Sequence, residues 1–222
     1  MKTRVFSLII LVTGMTLVFA SCSENVNGLD DSSELAMIDE KSSEIAALCG
    51  NCDFSGTLTE SEIEGLMVMR EEEKLARQVY IFFFENYNYR IFNNISKSED
   101  AHTRAVLHLI DGYGLEDPTP ESDTEFFNPL FNELYAQLTK KGSENVVEAL
   151  KAGAFIEEAD IADLRKLLSE TQNEDVKRVY GNLLRGSTFH LRAFSNVLKL
   201  RGESYQPTIL SSEEYLEILN AE

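Results

Sequence analysis

Leu66-Met-Val-Met69-Arg-Glu-Glu-Glu73-Lys-Leu-Ala76-Arg-Gln-Val-Tyr80 decides how the rest of the chain is read. Leu66, Met69, Glu73, Ala76, Tyr80 and then Phe84 recur three and four residues apart, which is the spacing of one helix face. The face is apolar except at Glu73. At 100° per residue Glu73 falls near its middle, with Glu71 and Glu72 to either side. A carboxylate on a core-facing stripe is expensive to bury unless it is paired or binds a cation. Thr59-Glu-Ser-Glu62 upstream is a capping box and starts this first helix, which is expected to run to about Asn88.

Three more long helices follow, each with the same anomaly. The second, about 91–113 and stopped by Gly114, carries Glu99 and His102 beside Ile95, Val106 and Leu109. The third, expected from Ser143 to about Thr171, places Glu157 among Val147, Leu150, Ala154, Ile161, Leu164 and Leu168. The fourth, from about Asn173 to Gly202, places His190 with Leu183, Ser187, Phe194 and Val197. The few residues between helices three and four make them antiparallel neighbours. The connection of about thirty residues between helices two and three can cross the bundle. It contains a short helix from Pro129, with Asn128 as its N-cap. After Pro207, Ser211–Leu219 forms a short amphipathic helix packed on the outside. The expected architecture is therefore an all-α, antiparallel four-helix bundle with two short additions.

Four buried polar positions on four helices point to a metal centre. Glu99 and His102, three apart, project the same way, so the carboxylate can bridge two ions while the imidazole binds one. A bundle can hold two iron or manganese ions with one Glu from each of two helices and Glu-x-x-His from each of the other two. Glu73, Glu99, His102, Glu157 and His190 supply five of those six ligands. Ser187 stands at the sixth position, three before His190. The spacing leaves open one ion, two ions, or recruitment of a nearby acid, for which Glu158 and Asp160 are the nearest in sequence. Each residue alone has an ordinary alternative: a surface acid, a hydrogen-bonded core histidine, or, for Tyr80, a core aromatic with its hydroxyl satisfied.

The first 21 residues read as an export signal. Lys2 and Arg4 precede an apolar run from Val5 to Ala20, broken by Ser7, Thr13, Gly14 and Thr16. Phe19-Ala20-Ser21-Cys22 resembles a bacterial lipobox, which would make Cys22 the lipidated first residue of a protein anchored to the envelope, at the periplasm or the cell surface. Residues 22–57 are rich in Ser, Asp, Glu, Asn and Gly and read as a flexible tether. Cys49 and Cys52 within it form a CxxC that suits a structural disulfide, a redox pair or half of a metal site. The chain holds 38 acidic against 20 basic residues, for a net charge of −18. That balance excludes the basic surface that nucleic acid requires and leaves the lipid as the route to a membrane. Oligomerisation is left open.

Several strings resemble a known family. Met69–Arg77 followed by Val79-Tyr80 is similar to the first helix of the DUF2202 domain proteins, a ferritin-like family. Ile91–His102 looks like its second helix, Ile156–Leu164 its third and Asn182–Phe194 its fourth. The resemblance spans about 58–220. Glu73, Ala76, Arg77 and Tyr80 also resemble the first helix of rubrerythrins, which favours Glu73 over Glu72 as a ligand. Ser187 departs from the rubrerythrin and ferritin pattern. The resemblance thus implies a ferritin-like fold binding one or two iron ions, or manganese, without implying a reaction. The functional expectation is a metal-binding envelope protein, with oxidation by O₂ or peroxide as its catalytic form. The alternatives are metal binding without turnover and a metal-free helical interaction module.

Overall fold

The computed structural model describes residues 52–221, and these form six helices with no strand among them. The four long ones are α1 (Glu60–Tyr87), α2 (Arg90–Gly112), α4 (Val146–Glu170) and α5 (Glu174–Leu200). Two short ones, α3 (Pro129–Gly142) and α6 (Ser212–Asn220), complete the chain. The expected all-α bundle, with a short helix in the crossover and another at the C-terminus, is the observed fold. Two residues join α1 to α2 and three join α4 to α5, so each pair packs as a hairpin. Around the bundle α1 contacts α2 and α4, and α5 closes the ring against both; α3 packs on α1 and α4, α6 on α5.

The helix ends follow local chemistry. Thr59 and Glu62 form the expected capping box, and Asn88 ends α1 in the left-handed conformation at φ 48°. Asn173 accepts from the N–H groups of both Asp175 and Val176 at the start of α5. One boundary differs from expectation. The third long helix begins at Val146 and not at Ser143, because Asn145 provides the cap through Glu148 N–H while Ser143 closes α3.

Apolar residues fill the bundle as two separate clusters. One gathers Val79, Phe83, Phe92, Ile95, Leu150, Phe155, Phe194 and Leu198. The other gathers Leu66, Met69, Val106, Leu109, Leu164, Val179 and Leu183. On α1, α2 and α5 the candidate ligands lie between the residues given to the two clusters, while on α4 Glu157 falls among residues of the first. A polar layer therefore crosses the bundle at mid-height, with apolar side chains above and below to exclude water. Burying each large apolar side chain contributes about 1.5–3 kcal/mol, so the two clusters can support a layer that is itself costly to bury. Gly153 allows the closest approach beside this layer: a Cβ there would meet the Phe194 ring at 2.5 Å.

The expected signal, Cys22, Cys49 and most of the tether lie outside the described residues. Cys52 is disulfide-bonded. The end of the expected tether is packed onto the bundle: the Phe54 ring lies 5.2 Å from that of His108 and 5.6 Å from that of Tyr113. Phe54 N–H also donates to Asp175 Oδ2 at 2.9 Å. No helix among the described residues is long and apolar enough to cross a membrane.

Candidate metal centre

Consecutive charged residues on α1 have separate destinations. The sequence leaves Glu71–Glu73 open to reading as a solvated run, yet all three are buried. Glu71 accepts from the N–H groups of Phe127 (2.5 Å) and Asn128 (2.9 Å). Lys74 Nζ donates to the carbonyls of Pro120, Ser122 and Glu125 at 2.7–2.9 Å. These two pin the crossover to α1. Glu73, facing the opposite way, meets His102.

Glu99 is the centre of the layer. Its Oε2 lies 2.8 Å from His102 Nδ1 and its Oε1 2.8 Å from His190 Nδ1. His102 Nδ1 is also 3.1 Å from Glu73 Oε2, and His190 Nδ1 is 3.3 Å from Glu157 Oε2. The two imidazole rings are stacked, with centroids 5.6 Å apart. The outcome is two buried triads that share Glu99: Glu73, Glu99 and His102, and Glu99, Glu157 and His190. Within each, one ligand atom per residue lies inside 4.8 Å of the others. All five residues expected from the sequence thus come together.

Further side chains orient these. Tyr80 OH lies 2.5 Å from Glu157 Oε1 and 3.3 Å from the Gly153 carbonyl. Ser98 Oγ lies 3.0 Å from His190 Nε2, so the imidazole is held from both ring nitrogens. Tyr80 is thus a core aromatic, packed on Phe92 and Phe194, whose hydroxyl also touches a candidate ligand.

Of the two supplementary acids, only Asp160 faces the layer. Its carboxylate accepts from Ser187 Oγ, the residue at the missing sixth position. Glu158 points away and is corrected here. It accepts from the N–H groups of Thr208, Ile209 and Leu210 at 2.7–2.8 Å, and from Tyr205 OH, so its role is to hold the C-terminal segment. A one-residue step along a helix turns a side chain by about 100°, which separates Glu157 from Glu158.

Two further acids are not assigned to the site by the sequence: Glu72 enters there only as the weaker alternative to Glu73, and Asp163 not at all. Glu72 and Asp163 are both buried, at 3% and 0% exposure. Glu72 sits at the edge of the α1 stripe and was hidden inside an acidic run. Asp163 had a legible signal: Glu157, Asp160 and Asp163 form a three-residue acidic ladder along α4. A cavity of about 10 Å³ is lined by Glu72, Glu73, Ala76, Glu99, Ile156, Glu157 and Asp160, about the room of one water.

So many acids crowded out of water cannot all be charged. Burial, reinforced by the charge of Asp160, pushes the Glu73 carboxyl well above the usual carboxylate range. Burial together with Asp163 and Asp160 does the same to Glu72. Burial and Glu157 raise Asp160 to about 8. Glu99 behaves oppositely. Burial opposes its charge, but His190 and His102 outweigh burial and hold it well below the usual range. Burial likewise lowers His190, yet Glu99 and Glu157 raise it overall to about 9.

Without a cation, then, this layer is neutralised by protons and by two imidazolium rings. Several atoms remain without a hydrogen-bond partner: both Glu72 oxygens, Glu73 Oε1, Asp160 Oδ1 and His102 Nε2. Each triad places one ring nitrogen against two carboxylates, although an imidazole N–H has a single proton to give. The donor sets of the two triads could therefore hold a metal ion.

The fold and site define an all-helical bundle with a buried carboxylate–imidazole layer. Residues 62–222 match the family described as "Uncharacterized protein domain (DUF2202)", and the chain belongs to that family. It is similar to the uncharacterized protein MJ0754 of Methanocaldococcus jannaschii, with 48% identity over 165 residues, 74% of this chain and 89% of that one. The crystal structure of hypothetical protein MJ0754 superposes with a TM-score of 0.74 at 47% identity, covering 76% of this chain and 97% of that one.

Proposed function

We propose that this protein is a ferritin-like metalloprotein whose bundle would hold two ions of iron, or of manganese, at two positions that share Glu99. Glu73 and His102 would complete one position, Glu157 and His190 the other. The observation that carries the reading is the shared carboxylate: Glu99 presents one oxygen to each histidine at the same 2.8 Å. Redox-active ions there would supply electron transfer to O₂ or peroxide, and oxidoreductase activity is the finer form of the proposal.

The residues' own contributions follow from their contacts. Tyr80 donates to Glu157 and so fixes that carboxylate's free oxygen toward His190. Ser98 holds the far nitrogen of His190 and thereby sets the ring plane. Such supporting contacts commonly change metal affinity by about 10–100-fold when removed. The apolar clusters on both sides keep the layer dry, which strengthens each electrostatic interaction within it.

The proposal includes export and attachment at the cell envelope through lipid on Cys22, supported by the basic start, the apolar run and Phe19–Cys22. Labelled fatty acid should enter the wild-type chain and not Cys22→Ala.

Metal analysis of the full chain, purified without chelator, tests the central claim. Two equivalents of iron or manganese, with large losses in Glu99→Gln and His190→Ala, are expected. No bound metal, and no uptake of ferrous iron without oxygen, would leave a metal-free helical module as the better reading.

A further inference from the structure

Charge is spread unevenly over the bundle. The whole chain carries 38 acidic residues against 20 basic, yet residues 176–202 contain no Asp or Glu. Arg178, Arg185, Arg192 and Lys199 recur there every seven residues. Seven residues are almost two helical turns, so the four side chains form one stripe along α5, drifting about 20° at each step. The stripe faces away from the core: Arg178, Arg185 and Lys199 are exposed and Arg192 half-buried. A Cβ at Gly181, on the same face, would meet nothing within 4 Å. Arg185 donates to Asn182 Oδ1 at 2.6 Å, and Arg192 donates to the Ala221 carbonyl with its guanidinium 4.7 Å from the Phe189 ring. Both acceptors are neutral. Among the described residues, Arg185, Arg192 and Lys199 have no ion pair with a carboxylate.

The stripe begins where the N-terminal segment meets the bundle. Phe54 N–H donates to Asp175 Oδ2, and Asp175 Oδ1 pairs with Arg178 at 3.4 Å. Residues 22–51 precede this point and lie outside the described residues; their sequence holds seven acidic residues against one basic, Lys41. At 1.5 Å per residue the stripe from Arg178 to Lys199 is about 30 Å long, which about ten residues of extended chain can follow. Thirty are present.

We propose that residues 22–51 dock along the outer face of α5, with their carboxylates on Arg185, Arg192 and Lys199. The inference goes beyond metal binding and does not depend on it. Phe54 anchors one end, so the pairs form within one chain, at an effective concentration on the order of millimolar. Each is a surface ion pair, weak alone and screened by salt. Docking therefore holds at low ionic strength and opens as salt rises. It takes about ten residues out of the stretch between Cys22 and the bundle, and so shortens the reach of the lipid anchor proposed at Cys22.

Zero-length carbodiimide coupling of the full chain tests this, since it joins a lysine amine to a carboxylate only in direct contact. Peptide mass spectrometry on a mixture of isotopically light and heavy chains separates coupling within a chain from coupling between chains. At about 20 mM salt Lys199 should couple to an acid of residues 22–51 in the same chain, and at about 500 mM the yield should fall about fivefold or more. Arg185→Gln combined with Arg192→Gln should lower the low-salt yield about fivefold. Should its helicity show that this variant does not fold, the salt dependence in wild type decides alone. Lys199 left uncoupled to residues 22–51 at low salt overturns the docking and leaves the stripe to an outside anion, such as an anionic lipid surface. Coupling between light and heavy chains overturns it in favour of a second copy. A yield unchanged by salt, or by the folded double variant, also overturns it.

Discussion

Ser187 Oγ on α5 donates to the Asp160 carboxylate on α4. The acid nearest the expected sixth ligand position therefore comes from the neighbouring helix, held in place by the serine that stands at that position. Ser187→Ala removes this donor from a buried acid whose other oxygen already lacks a partner. The metal-stripped protein should lose about 1–3 kcal/mol. The loss should shrink on metal loading, since a cation would then satisfy Asp160. Urea unfolding with and without metal measures both, and an equal loss in both states would count against Asp160 facing a bound ion.

Glu99 alone belongs to both triads, so substitutions there and at the histidines should differ in kind. Glu99→Gln should reduce binding at both positions, whereas His102→Ala should weaken chiefly the Glu73 side and His190→Ala chiefly the Glu157 side. Metal titration of the three variants resolves this. Equal partial losses in all three would argue against a shared carboxylate.

Tyr80→Phe keeps the ring against Phe92 and Phe194 and removes only the hydroxyl from Glu157. The fold should survive with a loss of about 1–2 kcal/mol. Affinity at the Glu157–His190 position should fall about tenfold or more, while the Glu73–His102 position keeps its own. A uniform loss at both would make Tyr80 a packing residue only.

Glu158→Ala should separate two neighbouring glutamates by function. It leaves the N–H groups of Thr208, Ile209 and Leu210 without their acceptor. Expected are a stability loss of about 2–4 kcal/mol, faster proteolysis after Gly202, and unchanged metal stoichiometry. A fall in metal content with the tail still protected would reverse the assignment.

Glu62, remote from the metal layer, gives stability a pH dependence of its own. Burial raises its pKa, but hydrogen bonds from Thr171, Thr59 and Gln172 outweigh it and hold the carboxyl at about 2, against 4.5 for the free group. A depressed folded-state pKa stabilises fully above the unfolded value and is lost as pH falls through the folded one. Glu62→Gln should therefore cost about 1–3 kcal/mol at neutral pH, and the difference from wild type should fade between about pH 4.5 and 2. Thermal melts across that range check the sign.

The bundle was legible because its helices advertise themselves twice, by apolar spacing and by caps such as Thr59–Glu62 and Asn128-Pro129. The five central candidate ligands were legible for a related reason. A charged residue in the middle of an apolar stripe contradicts its surroundings, and Glu73, Glu157 and His190 each do so. Glu72 carried no such contradiction, since it lies at the stripe's edge among other acids. Whether an edge position faces solvent or a neighbour depends on how closely α4 approaches α1, and residue spacing along α1 does not contain that distance.

Sequence by itself thus determined the number of long helices, their inward faces and the five side chains that meet between them, because helix periodicity is a property of each segment alone. Tertiary packing decided the rest. It sent Asp160 toward Ser187 and Glu158 toward Tyr205 and Thr208, although the two acids sit two residues apart on one helix. It also buried Glu72 against Asp163 and gave Glu99 its two histidines. Those outcomes depend on which helix lies beside which, and on how far apart they stand.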